Sequence, residues 1–178
     1  HGVVWRKQVR EILDAYDRWD VCAPVRKALV FYDTMWKSTE AMAEAIAEGA
    51  IAEGGPALDV KLLHVRANNG TRLATEMLDA AAFAAGSPTL NGTLMPAVAD
   101  ALTYPQGLRP AHKAGFAFGS YGWGRGGPEE VEQYLQAMKV ELLRPVLKLN
   151  YKPSPAGLDE CRAAGRLLAR QALKVCPV

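Results

Sequence analysis

Apolar positions along the chain follow two different periods. Between Val4 and Asp20 they recur at helical spacing, with Val9, Ile12, Leu13, Tyr16 and Trp19 along one face, and Pro24 closes the segment. From Arg26 onward, short apolar runs alternate with amphipathic stretches. The runs at 27–32 (KALVFY), 57–65 (ALDVKLLHV), 81–88 (AAFAAGSP), 113–120 (KAGFAFGS) and 144–151 (RPVLKLNY) predict five strands. The stretches at 38–55, 70–80, 95–105, 127–140 and 154–174 predict a helix after each. Their ends carry suitable signals. Gly54-Gly55 closes the first of these helices, Pro128 with Glu129 and Glu130 opens the fourth, and Ser154-Pro155 opens the last.

Strongly apolar strands separated by amphipathic helices predict a parallel sheet covered on both faces, an α/β fold. Right-handed crossovers leave few topologies, and five strands suit the order 2-1-3-4-5. The chain then consists of an extra N-terminal helix and one α/β domain. Its 178 residues are enough for a sizeable core.

Composition narrows the function. The formal net charge is +2 and no Lys/Arg block stands out, so a nucleic-acid partner is not expected. No apolar run approaches the length of a membrane span. Cys22, Cys161 and Cys176 are odd in number and widely spaced, which predicts reduced thiols and a cytoplasmic protein. The first residues read HGVVWRKQ with no methionine, so the sequence is expected to begin inside a longer protein or after a removed segment.

In an open parallel sheet the ligand site lies beyond the carboxyl ends of the strands, where the strand order reverses. Three unusual loops fall there. The stretch 32–40, YDTMWKSTE, places Thr34, Lys37, Ser38 and Thr39 at a strand-to-helix junction, where free amides and the helix dipole favour a phosphate. Simple capping by Ser38 or Thr39 is the alternative. The loop 87–95, SPTLNGTLM, is a polar turn able to point backbone groups inward. The loop 120–127, SYGWGRGG, sets Tyr121 and Trp123 among glycines, which allow close backbone approach and stacking on a flat ring. Neither G-x-x-x-x-G-K-[ST] nor G-x-G-x-x-G is present, which argues against ATP and NAD. A phosphate site beside aromatic walls predicts a mononucleotide with a large planar ring, and FMN fits best.

The stretches YDTMWKST, GSPTLNG and FGSYGWGRGG resemble the three flavin loops of flavodiiron proteins (A-type flavoproteins), and the match covers residues 26–174. The resemblance implies a flavodoxin-like domain over 25–178. Residues 1–24 would then be the tail of a preceding diiron domain and a linking helix. It further implies FMN contacts from Thr34, Met35, Trp36, Lys37, Ser38 and Thr39. The second loop would contribute Ser87, Pro88, Thr89, Leu90, Asn91 and Gly92, and the third Ser120, Tyr121, Gly122, Trp123, Gly124 and Gly127. HGVVWRKQ is similar to the end of the family's iron domain, and His1 would be an iron ligand there only in the full-length protein. Trp36 and Lys37 depart from the ordinary flavodoxin phosphate loop, while Gly92 and Arg125 depart from the flavodiiron pattern at the ring edge. Arg125, the one full charge between Ser120 and Gly127, reads as a solvated loop residue, as a docking contact for an acidic electron donor, or as a charge near the N1–C2 edge of the flavin.

For the whole protein the resemblance implies reduction of O2 or NO at two irons. Electrons would come from rubredoxin, a rubredoxin-like protein or a reductase, and a head-to-tail homodimer would bring each flavin to its partner's irons. By itself the domain would carry electrons and hold no metal. Two other readings stay open: an FMN-dependent NAD(P)H:quinone reductase or a free flavodoxin-type carrier, and a cofactor-free regulatory module. The last is disfavoured because Asp33 stands alone where a receiver domain needs an acidic pair.

Overall fold

The computed structural model describes residues 4–175. In chain order the elements are α1 (Val9–Asp20), β1 (Val25–Tyr32), α2 (Ser38–Gly54), β2 (Asp59–His64), α3 (Gly70–Asp79) and β3 (Ala80–Gly86). They continue with α4 (Pro96–Leu108), β4 (Ala114–Tyr121), α5 (Gly127–Ala137), β5 (Glu141–Leu142), β6 (Leu147–Asn150) and α6 (Pro155–Ala172). All strand pairs are parallel, and the main path runs β2-β1-β3-β4-β5, with β6 also on β4. The expected 2-1-3-4-5 order is therefore present, with its reversal between β1 and β3.

Alternation along β1 divides the core. Ala28 and Val30 face α2 and α6, where Met42, Ile46, Phe116, Phe118 and Leu168 complete one apolar layer. Leu29 and Phe31 face α3, α4 and α5, with Phe83, Met77, Leu102 and Leu135 in the other layer. The centre of the sheet is thin where β3 is mostly alanine. Large rings from β1 and β4 fill the space beside Phe83, the one ring on β3, which lies 6.0 Å from Phe31 between ring centroids.

Two boundaries differ from the sequence reading for a physical reason. The strand expected at 144–151 is the shorter β6, and a further two-residue strand, β5, precedes it at Glu141–Leu142. β5 pairs with the start of β4 and β6 with its end, from Phe118↔Leu147 to Tyr121↔Asn150. Pro145 lies between them and has no N–H for the ladder. The first helix begins at Val9 rather than Val4, and Val9, Leu13 and Tyr16 on its apolar stripe are exposed. Trp19 nevertheless fastens it, donating from Nε1 to Asp79 Oδ1 at 2.7 Å. Ser154 caps α6 as expected, its hydroxyl accepting from Gly157 N–H. Among the described residues no helix is long and apolar enough to cross a membrane.

Candidate functional site

The site begins with a buried acid. Asp33 follows β1, is fully buried, and donates its N–H to Gly86 O. Its Oδ1 accepts from Thr34 N at 2.7 Å, from Arg66 Nε at 2.7 Å and contacts His64 Nε2 at 3.1 Å. These bonds fix the path of the chain as it leaves the sheet. Lys37 then takes the N-cap position of α2 with φ of +64°, a conformation non-glycine residues seldom adopt. The first helical bond is Ala41 N–H to Lys37 O, so the amides of Ser38, Thr39 and Glu40 lie ahead of the ladder and are open to an anion.

The hydroxyls do not cap this helix, so simple capping by Ser38 or Thr39 is set aside. They have separate places. Ser38 lines a cavity of about 990 Å³ at the carboxyl edge of the sheet. Thr34 Oγ1 is buried without a protein partner. Thr39 is fully buried, and its Oγ1 lies 2.9 Å from Ser120 Oγ, joining the first loop to the third.

Loop two is a two-residue turn. Leu90 and Thr93 exchange backbone bonds of 2.9 and 3.0 Å around Asn91 (φ +53°) and Gly92 (φ +81°), the pairing that suits a tight hairpin. The Glu130 carboxylate accepts from Thr93 Oγ1 and from Leu94 N–H, tying this turn to α5. Loops two and three touch through Gly126 and Gly127. A Cβ on Gly126 would lie 1.9 Å from Gly92 O, and one on Gly127 2.5 Å from Pro88 O. Gly127 N–H also donates to Thr89 Oγ1.

Of the expected residues, 35–38, 88–92 and 120–124 line the cavity. Thr34, Thr39, Ser87 and Gly127 are not among the lining residues and sit behind the wall. The Ser87 hydroxyl donates to Pro88 O and accepts from Met95 N–H, a brace rather than a lining group. Trp36 and Trp123 are 88% and 94% exposed at the mouth, as open edges that a planar ring can cover. Arg125 is not among the lining residues, and its guanidinium carbon lies 5.1 Å over the Tyr121 ring. Sequence reasoning missed the loop after β6, where Tyr151, Lys152 and Pro153 form a fourth wall, with Ala41 and Leu158 at its base. The available signal was a second aromatic beside a lysine and a proline at a strand-to-helix junction. Among the described residues Lys37 and Lys152 line the cavity and no carboxylate does, so its charge favours an anionic ligand. Among the described residues no cluster of three or more His, Cys, Asp or Glu could hold a metal, and His1 lies outside them.

These features define an anion-favouring, aromatic-walled cavity at the switch point of a doubly wound sheet. The Flavodoxin family model matches residues 30–165, and the chain belongs to that family. A nitric oxide reductase of Moorella thermoacetica is 41% identical over 170 residues, covering 95% of this chain and 42% of that protein. The rubredoxin oxygen:oxidoreductase of Desulfovibrio gigas superposes with a TM-score of 0.85 at 33% identity, covering 94% of this chain and 41% of that one. A flavodoxin from the domain Archaea gives 0.72 at 28% identity, covering 83% of this chain and 99% of that one. The chain thus spans about two fifths of the length of the curated relatives it matches, and it is homologous to the flavodoxin-like part of flavodiiron proteins.

The cofactor of this domain is FMN, and the residues present fit it. The open amides of α2, the unpartnered Thr34 hydroxyl and Ser38 suit the phosphate. The glycine loop with Trp123, Trp36 and Tyr151 suits the ring. When bound, FMN supplies one- and two-electron chemistry, while the protein supplies orientation, exclusion of water and the surrounding field.

Proposed function

We propose that this domain relays electrons through FMN from a donor protein to a di-iron centre carried elsewhere in a longer flavodiiron protein. The carrying observation is the three-loop cavity on a chain that aligns almost end to end with two fifths of such proteins. Residues 1–24 belong to the tail of the iron domain and its linking helix, and residues 25–178 form the flavin domain. Support comes from coverage. The two relatives with the extra length align with 94–95% of this chain and so reach into α1, whereas the archaeal flavodoxin covers 83%. In this reading His1 contributes to the iron site of the full-length protein, which works in the cytoplasm as a homodimer. The donor is a rubredoxin-like protein or a reductase, in keeping with the name of the Desulfovibrio relative. The whole protein reduces O2 or NO.

The site residues divide accordingly. Thr34, Ser38 and the α2 amides hold the phosphate, with Lys37 adding charge. Trp123, Tyr121, Trp36 and Met35 flank the ring, and residues 88–92 meet its polar edge. Anaerobic mixing of the FMN-loaded chain with reduced rubredoxin tests the relay. Bleaching of the oxidised flavin band at a rate that falls with ionic strength is the expected result. A chain that takes no electrons from rubredoxin but oxidises NADH would point instead to the quinone reductase.

A further inference from the structure

The segment after β6 does more than line a wall. Asn150 Nδ2 donates to Gly122 O at 2.8 Å and to Tyr121 O at 3.2 Å. Tyr151 N–H donates to Tyr121 O at 2.7 Å. To do so Tyr151 adopts a φ of +54°, uncommon for a bulky aromatic residue. Its ring rests against Gly122, where a Cβ would come 3.3 Å from Tyr151 Cε1, and lies 6.3 Å from the Trp123 ring. Three hydrogen bonds therefore converge on two carbonyls of a loop that is otherwise mostly glycine.

Peptide geometry gives these bonds a consequence. Each peptide unit is planar and trans, so its N–H points opposite to its C=O. Holding the carbonyls of Tyr121 and Gly122 toward Asn150 turns the N–H groups of Gly122 and Trp123 away from it. Among the described residues those amides, and that of Gly124, have no protein acceptor. All three residues line the cavity. A glycine loop without such anchors samples many peptide orientations, because glycine has few steric limits. Donors fixed in advance stabilise developing negative charge better than donors that must reorganise.

We propose that Asn150 and Tyr151 are positioning residues that fix the 121–122 and 122–123 peptide planes, making the amides of Gly122 and Trp123 preformed donors to the flavin ring. This rests on the FMN reading. Adding two electrons and one proton to the neutral oxidised ring leaves one net negative charge. Fixed amides stabilise that product more than the oxidised ring, so the clamp raises the two-electron midpoint potential.

The test compares the wild-type chain with Asn150→Ala and Asn150→Asp. Asp keeps the shape but offers no donor and sets a carboxylate against two carbonyls. FMN affinity is read by fluorescence quenching, the midpoint potential by redox titration, and inorganic phosphate affinity by calorimetry or NMR. Both variants should weaken FMN binding roughly tenfold, the scale of one to two lost hydrogen bonds. Both should lower the potential and leave phosphate affinity unchanged, because Asn150 bonds only to the third loop and not to the α2 N-terminus. Asn150 is exposed, so thermal unfolding should move little. Unmoved FMN affinity and potential would overturn the proposal, as would loss of phosphate and FMN affinity in equal proportion, the mark of general loosening. Wild-type chain that binds no FMN would instead remove the cofactor reading and this inference with it.

Discussion

Thr34 and Thr39 lie five positions apart and do different work. Among the described residues the Thr34 hydroxyl is buried without a partner, while that of Thr39 pairs with Ser120. Thr34→Val should therefore weaken FMN by the worth of one bond to a charged group, about 1.5–3 kcal/mol. Riboflavin, which lacks the phosphate, should bind as before. Thr39→Val should weaken both ligands, since it separates the phosphate loop from the ring loop. Equal losses for both ligands in Thr34→Val would refute its role as a phosphate ligand. The hydroxyl cluster was legible because three such residues crowd one strand-to-helix junction. Their division of labour was not, because the Thr39–Ser120 contact joins residues 81 apart in sequence. The aromatics were legible for a similar reason, being large rings among glycines. Trp123 and Trp36 stand almost fully exposed. In the FMN complex flavin fluorescence should be quenched, and Trp123→Ala should restore it in the fraction that keeps FMN. Equally dark bound flavin in Trp123→Ala, Trp36→Ala and Tyr121→Ala would exclude stacking by these residues.

Elements were read well where packing agrees with local pattern, and less well where one residue overrides it. Central strands announced themselves as unbroken apolar runs. The two-residue β5 did not, because it is too short to show a pattern and Pro145 interrupts the run between it and β6. The N-cap of α2 was missed because Lys37 has no intrinsic preference for the left-handed region, and the loop imposes it. Most informative at this scale is the crossing of α2 and α6. A Cβ on Gly49 would fall 2.0 Å from Arg162 O, and one on Gly165 would fall 1.9 Å from Ile46 O. Each glycine lets its helix touch the other's backbone, and the seam positions the open N-terminus of α2. Salt bridges Arg162–Glu48 and Arg170–Glu53 cross the same seam, but they are largely exposed and add little. Gly165→Ala should force the helices apart at a cost of about 1–3 kcal/mol. In a domain of this size that lowers Tm by about 2–4 °C for each kcal/mol. Arg162→Ala should leave Tm nearly unchanged. The reverse order in thermal unfolding would show that the ion pairs, not close approach, hold the crossing.

For the whole molecule, strand order was legible because parallel α/β chains have few allowed topologies, and the site's location followed from where that order reverses. The fourth wall did not follow, since the loop after β6 is brought to the cavity by pairing at the far end of β4. Buried titratable groups on both faces of the sheet make one property of the entire fold predictable, its stability above neutral pH. Burial pushes the Lys113 amine down to about 8 from an ordinary 10.5. Between those values the unfolded chain binds more protons than the folded one, so stability rises with pH. Burial pushes the Cys161 thiol up to about 12 from 9.0. Burial, helped by Glu40 and Glu44, likewise raises the Tyr32 phenol to about 12 from 10.0. These two groups act with the opposite sign. Above the unfolded thiol value, and then above the unfolded phenol value, the folded chain keeps protons the unfolded chain has lost, so stability falls. Lys113 acts alone between about pH 8 and 9, Cys161 offsets it up to about pH 10, and the losses dominate beyond. Urea unfolding from pH 7 to 11 should thus show a shallow rise, a plateau and a decline. Cys161→Ala should extend the rise past pH 9 and move the maximum upward, whatever it costs in absolute stability. Tyr32→Phe should soften only the limb above pH 10. A wild-type curve that falls steadily from pH 7, with an unchanged shape in Cys161→Ala, would show that these buried groups do not govern the alkaline limit.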